Sequence, residues 1–290
     1  MTPLRYYLLG TGTWFASYGI QGVIFAWLIT LVLRETPSMV GVAQTAMLLP
    51  AMLFMLIGGS LADRWGGRIV AARAQALAVL PPLILVYVLI TDQLSIEIMI
   101  GYAAAIGVLQ AFVTPARDSL LNTVASGRIQ RTVVQVTLMQ FTVQMLGFAL
   151  AGTAAYIGAE WIVLTQALLL AIGAWALYRL PRIPPVAKPR TDVFISSIWH
   201  SISEGSRTVM RSPGMRTVAI TNVAMGAFFM GSYIVTIPLH IREIYDGTSA
   251  DLAIVNGLNS LGLVLVIFAL LKRGDIKRQG RALLIAHGLG

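Results

Sequence analysis

The sequence predicts an all-α protein that crosses a lipid bilayer many times, and three observations support this fold class. Of 290 residues, 57% are hydrophobic and only 11% are charged, whereas soluble domains average about 25% charged residues. Charge-free runs of about 20 residues, long enough to cross a bilayer as helices, recur along the chain. Basic residues are concentrated in every second gap between these runs. Because lipid offers no partner to backbone amides, the spans must be helical.

Eight charge-free runs are candidate membrane spans, and residues 282–290 begin like a ninth. In chain order the eight spans are Tyr6–Arg34, Thr36–Ala62, Ala74–Thr91, Ile98–Ala116, Thr132–Ala159, Trp161–Tyr178, Thr217–Leu239 and Leu252–Leu271. The first span is too long for the apolar core of a signal peptide and lacks a small-residue cleavage site, so we expect it to be retained. The sequence contains no Cys, which excludes disulfide and thiol chemistry.

The net charge of +9 indicates membrane topology and not a surface that binds nucleic acid. All Lys and Arg residues except Arg34 and Arg242 lie in alternate gaps between the spans. Cytoplasmic loops of membrane proteins are the loops enriched in Lys and Arg. We therefore expect a multi-pass protein of a cell membrane, with the lipid bilayer as a partner and a cytoplasmic N-terminus.

The chain is expected to divide into three parts. Residues 1–180 form a six-helix bundle, residues 181–212 a cytoplasmic linker, and residues 213–290 the start of a second bundle. The linker begins with a proline-rich basic stretch that cannot continue a helix. An amphipathic helix is expected to follow on the inner membrane surface, with Asp192 as its N-cap. Its apolar face consists of Phe194, Ile195, Ile198, Trp199 and Ile202.

An internal repeat supports the two-bundle organisation. The connection after the second span has the sequence "LADRWGGRIV", and the connection after the eighth has "LKRGDIKRQGRALL". Each contains an acid, Asp63 or Asp275, followed by a Gly–Arg pair. Parallel repeats of six helices occur in known transporters, so the sequence predicts a six-helix bundle plus an incomplete second one.

The glycine-rich loop after the second span resembles the signature G-x-L-a-D-r-x-G-r-r of the major facilitator superfamily. The matching residues are Gly59, Leu61, Asp63, Arg64, Gly66 and Arg68. Gly67 departs from it, since a basic residue is usual there. The stretches "TPARDSLL" and "EGSRTVMRSPGMR" are similar to the drug and siderophore exporter branch. The fifth span departs from the antiporter pattern because Phe148 stands where proline is expected.

The resemblance implies a conformational switch in this loop. The expected switch residues are Gly59, Asp63, Arg64, Gly66, Arg68, Arg117 and Asp118. Gly59 should let two helices approach closely, and Gly66 and Gly67 should allow a turn with positive φ. Asp63 lies near a helix C-terminus, where the helix dipole disfavours an acid, so it needs a partner. The family implies Arg117, while Arg68 is nearer in sequence. The alternative is a plain cytoplasmic turn.

Neutral polar and aromatic residues follow single helical faces and predict a substrate cavity. The candidates are Trp14, Tyr18, Gln21 and Phe25 on the first span, Gln140 and Gln144 on the fifth, and Asn222, Phe229 and Tyr233 on the seventh. Asn256, Asn259 and Ser260 form a similar stripe on the eighth. The resemblance implies that the first, fourth, seventh and tenth helices line the cavity. The alternative for all these stripes is hydrogen bonding between packed helices.

The spans contain no Asp, Glu, Lys or Arg at membrane depth, so a cationic drug bound through a buried carboxylate is not expected. Any proton coupling must then use groups nearer the helix ends, such as Asp63 or Asp118, or the helices that the twelve-helix family has beyond the ninth. The phosphate-binding pattern GxxxxGK[ST] is absent from the sequence, which excludes ATP as the energy source within this chain. The three His residues are scattered, so no metal site and no cofactor are expected.

The resemblance implies a secondary transporter, not an enzyme, in the bacterial cytoplasmic membrane. Such a protein would export an amphipathic small molecule, a drug, siderophore or lysolipid, in exchange for protons by alternating access. The rival interpretation is a truncated, non-transporting membrane fragment or interaction protein, since the family has twelve helices and this sequence stops within the ninth. A membrane enzyme is a third possibility that no catalytic motif supports.

Overall fold

A computed structural model of the chain describes residues 3–124, 129–181 and 207–273. The described residues form helices joined by short connections. The first six are α1 (Pro3–Trp27), continued by a π-helical segment (Leu28–Val32), α2 (Pro37–Trp65), α3 (Gly67–Leu77), α4 (Leu80–Ile90), α5 (Ile96–Val124) and α6 (Ile129–Gly152). The others are α7 (Ala154–Ile157), α8 (Ala159–Tyr178), α9 (Pro213–Ala224), a second π-helical segment (Met225–Met230), α10 (Gly231–Glu243) and α11 (Ser249–Arg273).

Seven helical stretches within the described residues are long and apolar enough to cross a membrane. They are Pro3–Val32, Pro37–Trp65, Gly67–Ile90, Ile96–Leu121, Thr132–Gly152, Ala159–Tyr178 and Ser249–Ala269. They correspond to the first six predicted spans and the eighth, and they confirm the all-helical polytopic class. The main shifts are in the third span, which starts earlier, and in the fifth, which ends at Gly152 and is followed by the short helix α7.

The predicted span Thr217–Leu239 is helical but is not one of the seven. It consists of α9, a π-helical segment and α10, which have 12, 6 and 13 residues. A π-helical segment breaks the regular i to i+4 hydrogen-bond ladder, and Pro238 lies inside α10. The third span is also divided, because the turn between α3 and α4 precedes Pro81 and Pro82.

Glycines allow close packing between helices of the first bundle. A side chain at Gly19 would overlap the backbone of Gln144 on α6, and one at Gly58 would overlap the backbone of Ala111 on α5. Gly107 approaches α2 in the same way. Small residues at such crossings let membrane helices pack backbone against backbone, which increases their van der Waals contact. The first bundle is therefore a tightly packed unit.

The two ends of the molecule differ in how the second half of the chain, described for residues 207–273, contacts the first half, described for residues 3–124 and 129–181. We call the end that carries Arg5, Arg64 and Arg68 the basic end, and the end that carries Val32 and Gly152 the opposite end. The buried core near the opposite end combines first-half residues with Ile241, Leu252 and Ala253 of the second half. The buried cluster around Tyr7, Ala62 and Leu177 at the basic end contains first-half residues only. Within the described residues, the halves thus meet toward the opposite end.

Several predicted features lie outside the described residues. They are the amphipathic helix from Asp192 with its face of Phe194 to Ile202, the second repeat copy with Asp275, and the start of the ninth span. The domain division at residues 180 and 212 stays a prediction.

Candidate functional site

A cavity of about 290 Å³ lies between the first half and the second half. It is formed by α1, α2, α6, α10 and α11, and it sits in the half of the molecule nearer the opposite end. Its volume is close to the lower limit of about 300 Å³ for small-molecule pockets. The polar residues of its lining are Tyr18, Gln21, Gln44, Gln144, Tyr233, Asn256, Asn259 and Ser260.

The structure brings together five of the nine predicted cavity residues, namely Tyr18, Gln21, Phe25, Gln144 and Tyr233. Trp14 is buried beside a small adjoining pocket that it shares with Tyr18 and Gln21. Gln140 and Asn222 are not part of the cavity lining, and the side chain of Phe229 lies outside the described part.

The cavity is also lined by residues that were not predicted to line it, Gln44 and Met47 on α2 and Phe141 and Phe148 on α6. Gln44 was detectable as a lone amide within a charge-free span. The stripe of Asn256, Asn259 and Ser260 lines the cavity, so these residues face the cavity in addition to contacting neighbouring helices. The fourth span, expected at the cavity, contributes only Ile106 to the adjoining pocket.

The amide side chains of the cavity have hydrogen-bonding groups available for a ligand. Gln21 donates to the thioether sulfur of Met47 at 2.9 Å, and sulfur is a weak acceptor. The side chains of Gln44 and Gln144 have no hydrogen-bond partner among the described residues. Asn259 donates to the Tyr233 hydroxyl at 3.2 Å. The lining can therefore donate and accept several hydrogen bonds at once.

Among the described residues that line the cavity there is no Asp, Glu, Lys, Arg or His. A charged group that enters a low-dielectric cavity loses hydration and is costly unless it meets a counter-charge. The aromatic residues Phe25, Phe141 and Phe148 supply apolar surface, and Phe25 stacks on Tyr102 with 6.2 Å between ring centroids. The cavity thus fits an uncharged, amphipathic molecule with several hydrogen-bonding groups.

The segment Gly58–Arg68, which we call the switch loop, consists of the last turns of α2, a sharp turn at Gly66 and the start of α3, at the basic end. Gly66 has φ of +87°, as the predicted turn requires, whereas Gly67 has no positive φ. Gly67 instead packs against Ala116 and Ser119 of α5, where a Cβ atom would clash. The expected close approach at Gly59 is wrong: a Cβ there would lie 3.8 Å from Pro115, and Gly58 is the glycine in backbone contact with α5.

Arg68 of the switch loop binds the end of α8. Its Nη1 donates to the carbonyl oxygen of Tyr178 at 2.7 Å and to that of Leu180 at 3.2 Å. The guanidinium also lies 5.6 Å from the centre of the Tyr178 ring. A cation there satisfies carbonyls that have no partner inside the helix. Arg68 thus connects the third span to the sixth.

Arg117 is buried, with 7% of its surface exposed, at the basic end of α5. Its guanidinium lies 4.4 Å from the centre of the Phe15 ring, and its Nε lies 3.8 Å from a carboxylate oxygen of the largely exposed Asp118. Its Nη1 is buried without a hydrogen-bond partner. Asp63 and Arg64 are exposed at the end of α2. Arg117 therefore has hydrogen-bonding capacity that this conformation does not use.

The part of the chain that the structure describes contains no group of three or more His, Cys, Asp or Glu side chains able to hold a metal ion. Its helical spans and the uncharged cavity between two halves define a membrane protein of the secondary-transporter type. The sequence profile of the Major Facilitator Superfamily matches residues 7–290, so the chain belongs to this family, which is not an enzyme family.

Solved structures support the same fold. The chain is similar to the nucleoside transporter NupG in its D323A mutant form, with a TM-score of 0.74 and 12% identity over 92% of this chain and 67% of that one. A second NupG structure gives a TM-score of 0.72 and 12% identity, covering 93% and 67% of the two chains. An auto-inhibited POT family peptide transporter gives 0.54 and 14% identity, covering 82% and 51%. No curated protein sequence matches the chain.

Proposed function

We propose that this chain forms most of a secondary transporter that moves an uncharged, amphipathic small molecule through the cavity by alternating access. The observation that carries the proposal is the cavity itself, which both halves build and which presents amides and aromatic rings without any charged side chain. Because the two halves meet toward the opposite end, a rocking motion between them would move the opening of the cavity from one membrane face to the other.

The proposed direction is export in exchange for protons. The support is the likeness of "TPARDSLL" and "EGSRTVMRSPGMR" to drug and siderophore exporters. Asp63 and Asp118 are acids near the basic end, and we assign the proton exchange to them. We place the basic end in the cytoplasm because Arg64 and Arg68 lie in the alternate gaps of the sequence that contain all the Lys and Arg residues except Arg34 and Arg242.

The switch loop has a proposed role in this cycle. When the basic end closes, the Asp63 carboxylate pairs with Arg117, whose Nη1 has no partner in the present conformation. Two opposite charges about 4 Å apart near a protein surface interact by about 4 kcal/mol before screening by salt. Since 1.4 kcal/mol changes an equilibrium about tenfold, such a pair can shift the population between the two conformations.

The test uses a single cysteine at Gln144, which lines the cavity in a chain without native Cys. A membrane-impermeant maleimide is applied from the cytoplasmic side, with and without Asp63→Asn. We expect Asp63→Asn to increase labelling and to reduce transport sharply, while membrane insertion is unchanged. Asp92→Asn is the matched control, because Asp92 is an exposed acid in a loop at the opposite end. Equal labelling with and without Asp63→Asn would remove the switch from the proposal.

A further inference from the structure

Two polar side chains of the second half bind backbone groups of the first half at the opposite end. Arg242, in the last turn of α10, donates from Nη1 to the carbonyl oxygen of Glu35 at 2.8 Å and to that of Thr30 at 3.3 Å. Ser249, the first residue of α11, donates to the carbonyl oxygen of Gly152 at 3.0 Å. These residues flank the connection between α10 and α11.

Arg242 binds one carbonyl in the last turn of the first span, that of Thr30, and one in the connection that follows the span, that of Glu35. The last carbonyl groups of any helix lack partners within that helix. In the π-helical turn after α1, Leu33 and Glu35 donate their amides to Leu28 and Ile29, and the Thr30 carbonyl accepts from Arg242. A guanidinium at this position also complements the negative end of the helix dipole. Arg242 therefore acts as a C-terminal cap that comes from the other half.

Ser249 has the same relation to the end of α6. Its hydroxyl donates to Gly152, the last residue of α6, and accepts from the backbone amide of Ala155 in α7 at 3.2 Å. Ser249 is fully buried, and Gly152 leaves no room for a side chain beside Ala253. Two helix ends of the first half are thus capped by the second half.

We propose that Arg242 and Ser249 form the closure of the cavity at the opposite end, and that their contacts break each time this end opens. The proposal rests on the alternating access proposed above. These contacts suit a reversible closure because water can bind the same carbonyls once the halves separate, so opening leaves no buried group unpaired. Glu243, 2.6 Å from the Arg242 guanidinium, keeps a partner for the charge in both states.

The chain offers a matched control for Arg242. The dipeptide Arg34–Glu35 follows the first span, and α10 ends in the dipeptide Arg242–Glu243. Arg34 is exposed at the same end of the molecule and makes no hydrogen bond or ion pair within the described residues. A change of Arg34 therefore removes the same charge from the same end without removing a contact between the halves.

The experiment places one cysteine at Ala26, a buried residue of the cavity wall, and measures its reaction with an impermeant maleimide added from either side of the membrane. We expect Arg242→Gln to speed labelling from the opposite end about tenfold, the equivalent of about 1.4 kcal/mol. Labelling from the basic end should slow. Ser249→Ala should act in the same direction, Arg242→Lys should have a smaller effect, and Arg34→Gln should have none. Labelling of denatured protein gives the value for full reaction.

The two-sided readout separates a closure from a structural contact. A rise in labelling from both sides would mean general loosening and would overturn the proposal, as would unchanged labelling from both sides. The Asp63→Asn variant perturbs the proposed alternation from the basic end and serves as an independent comparison. If Asp63→Asn shifts labelling between the sides and Arg242→Gln does not, the closure alone is wrong. If neither Asp63→Asn nor Arg242→Gln shifts labelling between the two sides, both the proposed closure and the proposed alternating access fail.

Discussion

Individual amide side chains decide what the cavity can bind. Gln21 is buried on α1 and uses one amide hydrogen on the Met47 sulfur, which leaves its carbonyl oxygen and second hydrogen without a partner among the described residues. A weak N–H to sulfur bond costs little to exchange for a stronger bond to a ligand. Gln21 is therefore the residue whose replacement should change the choice of solute most directly.

We expect Gln21→Leu to change the relative transport of different solutes while membrane abundance remains near that of the wild type. The leucine has a similar size but cannot make hydrogen bonds, so solutes with amide or hydroxyl groups should lose about 1 kcal/mol per lost bond, or about fivefold in apparent affinity. Competition assays with a panel of solutes measure the change. Gln140→Leu is the control, because Gln140 does not line the cavity. Reduced abundance with unchanged preference would instead assign Gln21 to helix packing.

The sequence predicted the correct face of the helices better than the correct depth. Tyr18, Gln21 and Phe25 share a face of α1 and all line the cavity. Gln140 and Gln144 also share a face, but they are one turn apart, about 6 Å along the axis, and only Gln144 reaches the cavity. Helical periodicity contains no information on where along its length a helix meets a cavity. Gln44 was missed because a sequence does not show which helices of one half face the other.

At the scale of the helices, the contact between α2 and α5 depends on one glycine of an adjacent pair. Gly58 meets the backbone of Ala111, whereas the nearest atom to a Cβ at Gly59 is Pro115 Cβ, at the ordinary distance of 3.8 Å. The family signature contains Gly59, so the signature alone pointed to the wrong residue for close packing. The pair of neighbouring glycines allows a direct comparison.

We expect Gly58→Ala to lower the stability of the folded protein by about 1–3 kcal/mol, because the added methyl group forces two helix backbones apart. Gly59→Ala should have little effect on stability. Thermal unfolding of the purified protein in detergent measures both. If the two variants unfold at the same temperature, backbone contact at Gly58 does not limit the packing of these helices.

The positions of seven of the eight predicted spans were predictable because charge-free length is a property of the sequence alone. The interruption of the seventh span at Met225–Met230 was not, because its residues are as apolar as their neighbours and nothing in them demands a π-helical turn. The break between α3 and α4 was partly visible in Pro81 and Pro82. Proline marks a break in a helix directly, whereas an extra residue in a helical turn leaves no distinct trace in composition.

For the molecule as a whole, the charge distribution makes a prediction about membrane orientation. In a bacterial host, reporter fusions near Arg34, Glu97, Glu160 and Asp246 should report the periplasm, and fusions near Arg73, Arg128, Lys188 and Lys277 the cytoplasm. The reason is the preference of Lys and Arg for cytoplasmic loops. A cytoplasmic signal at Glu97 would contradict the order of the first four spans. The fusion near Asp246 is the most informative one, because it follows the predicted seventh span, whose helix is interrupted at Met225–Met230.

The contacts of Arg242 also have a consequence for biosynthesis. The residues that it joins, Thr30 and Glu35, are 212 and 207 positions away in the chain. Domains generally fold from the N-terminus during synthesis, so the helices of the first half can assemble long before Arg242 leaves the ribosome. Until then the Thr30 and Glu35 carbonyls have no cap from the second half. A nascent chain arrested before residue 242 should therefore hold an assembled first bundle whose cavity wall is still exposed to lipid and chaperones.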